Sequence, residues 1–287
     1  MPELPEVETI RQDLSKSITK KRITDIVVNK EKIIKNNLSS FLKILRNNNF
    51  AKIDRRGKLL ILHLYKNDKY FLIHLRMTGQ LIYQHKKKII TGGHPEPFSV
   101  DELPNKYSHI IFTFADKSKL FFNDMRQFGY MKLVDKDELN INLKRFGIEP
   151  LTNSFTLDAF TNVFKNKKSV LKAFLLNQKY IAGIGNIYAD EICFKAGVKP
   201  SRNISSLTSR EIKNLYNACQ FIINKAIIKR GTSFSDFRDG SGKQGNFLKY
   251  LKVYGRSGKK CLNCKQSILK KIRLAGRGTV FCQICQK

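Results

Sequence analysis

Apolar residues at Val7, Ile10 and Leu14 mark one face of a short helix over residues 5–16. Pro5 suits its first turn, because the N–H that proline lacks would be unpaired there anyway. From about 22 to 134 the pattern changes to strands. The segments KLLILHLY (58–65), KYFLIHLRMTGQLIY (69–83), YSHIIFTFA (107–115) and KLFFNDM (119–125) are rich in Ile, Leu, Phe and Tyr. Turn signals such as Asp54-Arg55-Arg56-Gly57 and Asp116-Lys117-Ser118 separate them. This half predicts a β-sandwich or barrel. After Pro150 the period becomes 3.6, and helices are expected at about 156–165, 169–178, 186–196 and 208–230. The last opens with Thr208 and Glu211 at capping-box spacing, buries Ile212, Leu215, Tyr216, Cys219, Ile223 and Ile227, and stops at Gly231. Residues 231–259 are rich in Gly and Ser, too polar to pack well, and predict a mobile loop ahead of a small terminal module. The expected organisation is a multidomain α+β chain divided at 1–134, 135–230, 231–259 and 260–287.

Charge narrows the possible partners. The 287 residues carry 54 Lys+Arg against 23 Asp+Glu, a formal net charge of +31. Such a chain repels itself unless a polyanion offsets the cost, and nucleic acid is the usual one because phosphate neutralisation releases condensed counterions. A membrane surface would need a basic amphipathic helix or a lipidation signal, and neither is found. Compositional drift toward lysine codons would scatter the excess. Residues 240–287 instead hold 12 Lys/Arg and no acid, while Glu3, Glu6 and Glu8 crowd the first eight positions. No apolar run exceeds four residues, and MPELPEVETI lacks the cationic and apolar regions of a secretory signal. A cytoplasmic, nucleoid-associated protein with no membrane partner is expected.

Two CxxC pairs, Cys261/Cys264 and Cys282/Cys285, stand 17 residues apart. Four thiolates at this spacing suit one structural, tetrahedral Zn2+ per chain, with no position left open for chemistry. An intracellular setting disfavours disulfides, and no thioredoxin-like pattern surrounds the pairs. The intervening segment predicts a β-hairpin with Gly276-Arg277-Gly278 at its turn, pushing Arg277 outward. Cys193 and Cys219 lie in helical stretches and read as inert packing.

The N-terminus offers a different chemistry. Initiator methionine is normally trimmed before a residue as small as proline, which would leave Pro2 with a free secondary amine. Such an amine titrates at roughly 7.7–8.0, so part of it is neutral and nucleophilic near pH 7, and cationic surroundings lower that value further. It can add to a carbonyl carbon and lose water as an iminium, with Glu3 and Glu6 beside it to move protons. Alone, the segment could equally be a helix cap.

Residues 1–9 resemble the opening of the bacterial formamidopyrimidine-DNA glycosylases, and the likeness recurs along the chain. Arg56-Gly57-Lys58 is similar to that family's lysine turn, and His74-Leu75-Arg76-Met77-Thr78-Gly79 to its intercalation-loop strand. Asp124-Met125-Arg126-Gln127-Phe128-Gly129 is similar to its second probe loop, and Gly183-Ile184-Gly185-Asn186-Ile187-Tyr188 to the turn of its helix-two-turn-helix element. The cysteine hairpin completes the set, with one residue more between its pairs than is usual.

The resemblance implies a short helix and β-sandwich, a helix-two-turn-helix domain and a zinc-finger hairpin. It also implies a monomeric base-excision-repair enzyme that removes oxidised purines from damaged double-stranded DNA and then cuts the strand at the abasic site. Pro2 would attack C1′ of the flipped nucleotide, Glu3 and Glu6 would transfer protons, Lys58 would serve β-elimination and clamp phosphate, and Arg277 would hold flanking phosphates and serve δ-elimination. Met77, Arg126 and Phe128 would fill the hole left by the extruded base. Lys167, Lys172, Asn186 and Tyr188 would meet the DNA backbone, and Tyr107 stands where relatives often carry a DNA-contacting His. His74 reads as a core histidine rather than a ligand, and Asp124 could equally be structural, orienting its loop. Two alternatives stay open: an endonuclease VIII-like enzyme for oxidised pyrimidines, whose usual opening has Gly where Leu4 stands, and a non-enzymatic zinc-ribbon DNA-binding protein.

Overall fold

A buried phenylalanine, Phe71, marks the centre of the first half of the chain. In a computed structural model that describes residues 1–93, 102–232 and 247–287, its ring lies 6.0 Å from Phe50, 5.7 Å from Phe41 and 5.9 Å from Phe112. Phe50 and Phe71 belong to an antiparallel four-stranded sheet of β2 (Phe50–Arg56), β3 (Leu59–Leu64), β4 (Tyr70–His74) and β9 (Tyr130–Val134). Phe112 belongs to a five-stranded sheet in the order β1 (Ile23–Val28), β7 (Ser108–Phe114), β8 (Lys119–Asp124), β5 (Gly79–His85), β6 (Lys88–Gly93). The two inner faces therefore share one core, and the expected sandwich is present.

The helix α1 (Leu4–Ile18) adds Val7, Ile10 and Leu14 to this core, as its periodicity predicts. It packs so closely on β6 that a Cβ on Gly92 would come within 2.3 Å of Ile10. Two short helices were not foreseen. The helix α2 (Leu38–Leu45) interrupts the stretch expected to be all strand, with Asn37 as N-cap accepting the Ser40 amide at 3.1 Å. The helix α3 (Lys136–Leu143) follows β9 directly, and Asp135 caps it.

The expected strand over 69–83 is two strands in different sheets. The chain turns at Leu75–Gly79, where the Gly79 amide bonds to the Leu75 carbonyl at 2.9 Å and Arg76 takes a left-handed φ of 52°. A Cβ on Gly79 would lie 2.3 Å from that carbonyl oxygen, so only glycine fits. The apolar run continues through the turn because Leu75 is itself buried, which hides the break from the sequence pattern.

Contacts divide the chain into two units. The first holds Met1–Lys144 and takes back residues 230–232; the second holds Arg145–Lys229 and Phe247–Lys287. In the second, α4 (Leu157–Phe164), α5 (Leu171–Leu176), α6 (Asn186–Ala196) and α7 (Ser209–Ile228) stand near their expected positions. The Thr208–Glu211 capping box is formed, and Leu215, Cys219 and Ile223 are buried on α7. Burial raises the Cys193 and Cys219 thiol pKa values far above the ordinary range, which keeps both inert at neutral pH.

Part of the expected loop, 233–246, lies outside the described residues. The stretch 247–253 is anchored, contrary to the reading from polarity, with Phe247, Leu251 and Val253 buried, while Gly255 and 257–259 are exposed. A single acid explains this. The Glu191 carboxylate of α6 accepts the amides of Lys252, Val253 and Tyr254 at 2.9–3.1 Å. A hairpin of β10 (Lys270–Leu274) and β11 (Arg277–Phe281) follows.

Candidate functional site

In the first unit the chain start is held in place by α1. Pro2, Glu3 and Glu6 are buried, residues Glu3 and Glu6 being only 2% and 8% exposed. The Glu3 amide donates to Glu6 Oε2 at 3.0 Å, the returning half of a capping box. The other Glu6 oxygen accepts both the amide (2.7 Å) and the hydroxyl (3.0 Å) of Thr232. Glu6 therefore joins the N-terminus to the segment that returns after α7. Arg230 adds a second tie, at 2.6 Å from Asp13. Sequence reading missed Thr232, since nothing local marks a partner 226 positions away.

Lys58 is buried at the head of β3. Arg55 anchors its turn: the guanidinium donates to the Gly57 carbonyl at 2.9 Å and pairs with Glu8 of α1 at 3.1 Å. Burial alone would raise the Glu8 pKa, but Arg11 and Arg55 outweigh it and hold the carboxyl below its ordinary value. The lysine turn is thus fixed to the helix that begins two residues after the candidate nucleophile.

Met77, Arg126 and Phe128 come together on two loops. Arg126 Nη1 lies 3.2 Å from Met77 Sδ, and its guanidinium carbon lies 4.6 Å from the Phe128 ring centroid. Phe128 is 53% exposed, an apolar ring left in solvent. Beneath the trio, fully buried Asp124 accepts the Thr78 hydroxyl, the Arg126 amide (3.2 Å) and the Gly129 amide (2.7 Å). These bonds orient the loop, the structural one of the two readings that the sequence left open for Asp124. His109, missed from sequence, bonds the Asp124 carbonyl at 2.8 Å. Tyr107 is half-buried beside the same root, its carbonyl accepting the Asp124 amide at 3.2 Å.

His74 is half-buried at the end of β4 and lies outside the core it was expected to join. Its Nδ1 accepts the Arg76 amide at 3.0 Å, its ring stacks on Tyr130, and burial, then the Arg76 and Lys58 charges, push its pKa down to about 3.

In the second unit, Lys167 is exposed, with its ammonium 5.7 Å from the Tyr180 ring centroid. Asn186 donates to the Gly278 carbonyl at 3.2 Å. Two expectations need correction. The Lys172 ammonium is not offered to phosphate: it is 0% exposed, 2.6 Å from Asp190 and 3.0 Å from the Gly278 carbonyl. Tyr188 is likewise fully buried, its ring packed near Phe247, and presents no surface to DNA. Both are internal supports. Asp190 also accepts the Val280 amide at 3.0 Å, so the Lys172–Asp190 pair fastens β11 to α6. Arg277 is exposed as the first residue of β11, paired with Leu274, and the turn itself is Ala275-Gly276, both left-handed. The four cysteine sulfurs lie within 4.8 Å of one another, a cluster able to hold a metal ion. Asn263, within the first pair, donates to two of them.

Residues 1–131 match the formamidopyrimidine-DNA glycosylase N-terminal domain, and residues 146–238 match the H2TH domain of the same enzymes. The formamidopyrimidine-DNA glycosylase of Pelotomaculum thermopropionicum is 39% identical over 100% of this chain and 99% of its own. That of Listeria innocua is 37% identical over the whole of both. The Lactococcus lactis enzyme, solved with DNA containing an abasic site, superposes with a TM-score of 0.87 at 32% identity over 99% of each chain. It has also been solved with DNA containing an oxidised pyrimidine, at a TM-score of 0.86 and 32% identity over the whole of both chains. With both domains matched in order and relatives aligned from end to end, the chain belongs to the formamidopyrimidine-DNA glycosylase family.

Proposed function

We propose that this chain is a base-excision-repair DNA glycosylase and abasic-site lyase that acts as a monomer on oxidised purines in double-stranded DNA, within the cytoplasm at the nucleoid. The observation that carries the reading is the Met77–Arg126–Phe128 trio, assembled on loops pinned by Asp124. A wedge, a cation and an aromatic ring in contact are what a protein needs to replace an extruded base, and a non-enzymatic ribbon protein has no use for them. Among the described residues no helix is long and apolar enough to cross a membrane.

In this reading, removal of Met1 frees the Pro2 amine. Its lone pair forms a bond to C1′ as the N-glycosidic bond breaks, and the departing base takes a proton. Glu3 donates a proton to the ring oxygen, the sugar opens, and an iminium joins Pro2 to the deoxyribose. Loss of a C2′ proton then expels the 3′ phosphate, with Lys58 as the proton-transferring and phosphate-holding group. A second elimination, served by Arg277, expels the 5′ phosphate, and water hydrolyses the iminium to restore the amine. Glu6 holds Glu3 in place while moving protons. Tyr107, Lys167 and Asn186 meet the DNA backbone.

The metal is one structural Zn2+. For Zn–S bonds of about 2.3 Å, a tetrahedron has edges of about 3.8 Å. The Cys261–Cys285 and Cys264–Cys282 sulfurs stand 3.8 and 3.7 Å apart. Zinc on Cys261, Cys264, Cys282 and Cys285 would brace the hairpin that carries Arg277. Oxidised pyrimidines are a second substrate class, favoured by the Lactococcus complex with such DNA.

The test joins intact mass with borohydride trapping on a duplex carrying 8-oxoguanine. A chain lacking Met1 should trap covalently, and Pro2→Gly should keep DNA affinity while losing the adduct. Full-rate excision by a chain that retains Met1, or intact DNA binding without trapping, would overturn the proposal.

A further inference from the structure

The second unit holds a cavity of 270 Å³ between α6, α7 and residues 247–252, closed on one side by Leu262 and Asn263 of the first cysteine pair. Phe194, Phe221, Phe247 and Tyr250 give it an aromatic lining, and Phe221 and Leu262 are 50% and 47% exposed at its mouth. The same cavity is rimmed by Lys195, Lys225 and Lys252. Lys195 sits 4.7 Å from the Phe221 centroid and Lys225 4.3 Å from that of Tyr250, where Lys229 also lies at 5.4 Å. None of these four lysines forms an ion pair among the described residues. The one acid in the lining, Glu191, is already engaged by the amides of Lys252, Val253 and Tyr254, and burial raises its pKa. An apolar floor is thus combined with a positive rim that forms no ion pair among the described residues, Glu191 offsetting only part of the Lys252 charge.

Three observations narrow the occupant. The volume falls below the roughly 300–1,000 Å³ of small-molecule sites, and suits one or two side chains rather than a cofactor. Lys195 is nine residues from Asn186 along α6, about 13 Å at 1.5 Å per residue, so the rim stands at the opposite end of that helix from the turn expected to meet the DNA backbone. The Phe221 and Tyr250 rings already carry ammonium groups. A nucleobase would have to displace these to stack, whereas a carboxylate can join them in place.

We infer that this cavity docks an acidic peptide segment of a partner protein, with an aromatic or leucine side chain on the apolar floor and flanking carboxylates on Lys195, Lys225 and Lys252. None of the lining residues is among those assigned to excision, so the inference stands whether or not that assignment does.

Fluorescence anisotropy on the full, metal-loaded chain tests it. The probe is a short fluorescein-labelled peptide alternating Asp and Glu with Leu and Phe, and the control replaces its apolar residues by Ser. Expected is saturable binding of the first peptide only, weakened about tenfold by Phe221→Ser and by Lys225→Gln, with duplex affinity unchanged in both variants. Both positions are solvent-accessible, so both variants should fold. Absence of saturable binding overturns the inference, as does binding indifferent to either substitution, which would place the peptide elsewhere on the basic surface. Displacement of the peptide by a single-stranded oligonucleotide whose own binding falls in the same variants would assign the cavity to nucleic acid instead.

Discussion

The Gly129 amide donates to Asp124 Oδ2 at 2.7 Å, and this bond closes the loop that carries Arg126 and Phe128. The other Asp124 oxygen accepts from Thr78, next to Met77 on the second loop, so one buried carboxylate positions all three probe side chains. Asparagine has the same shape but can accept through only one of its two terminal atoms. Asp124→Asn should cost about 1–3 kcal/mol of stability by leaving a buried donor unmatched. It should lower kcat/KM about tenfold on duplex 8-oxoguanine, yet leave cleavage of a single-stranded abasic oligonucleotide within about twofold, because that substrate has no base stack to wedge. Equal losses on both substrates would show general damage rather than loss of the wedge.

His74 makes stability depend on pH. Its pKa falls from an ordinary 6.5 to about 3 in the folded chain, through burial first and then the Arg76 and Lys58 charges. Below pH 6.5 the unfolded chain takes up a proton that the native one refuses, so folding stability declines as pH drops through the window between the two values. The slope approaches at most about 1.4 kcal/mol per pH unit. His74→Asn keeps an acceptor for the Arg76 amide without a titrating group, and urea unfolding across this window should show a flatter decline. Parallel curves for variant and wild type would remove His74 as the cause.

Much of this architecture is legible in local pattern. The α1 stripe, the Thr208–Glu211 box and the paired cysteines each depend on residues a few positions apart, and each stands where its spacing places it. What the pattern concealed depends on distant partners. A polarity scale reads Lys172 as one more surface cation, and only the fold supplies Asp190 and the Gly278 carbonyl that draw it inside. Residues 252–254 read as part of a loop because Glu191, which ties down their backbone, lies some 60 positions earlier. Tyr188 follows the glycine turn in sequence, but its position on α6 points it into the core.

The Lys172–Asp190 pair offers a direct check on that correction. Burial pushes the Asp190 pKa up to about 6 despite the adjacent ammonium, so the carboxylate depends on its partner to stay ionised at neutral pH. Lys172→Met should cost about 3–5 kcal/mol by leaving that charge unpaired, and adding Asp190→Asn should recover part of the loss. Had Lys172 been a phosphate ligand, the slope of log affinity against log salt would shrink by about one in Lys172→Met. An unchanged slope at a temperature where the variant is folded is expected.

Metal removal should act on the second unit's hairpin alone. Two strands of five residues each are marginal in water, and the cluster beneath them contains little besides Val253, Leu269, Val280 and the cysteines themselves. Chelation should therefore unfold the hairpin, release Arg277 and Gly278 from their fixed register, and weaken DNA binding. The cysteines report it: four thiols should become reactive toward a disulfide reagent after chelation, while buried Cys193 and Cys219 react only when the whole chain unfolds. Retention of full DNA affinity by a chain with four titrated thiols would mean that the hairpin does not need its metal, and the bracing role given to zinc would fall.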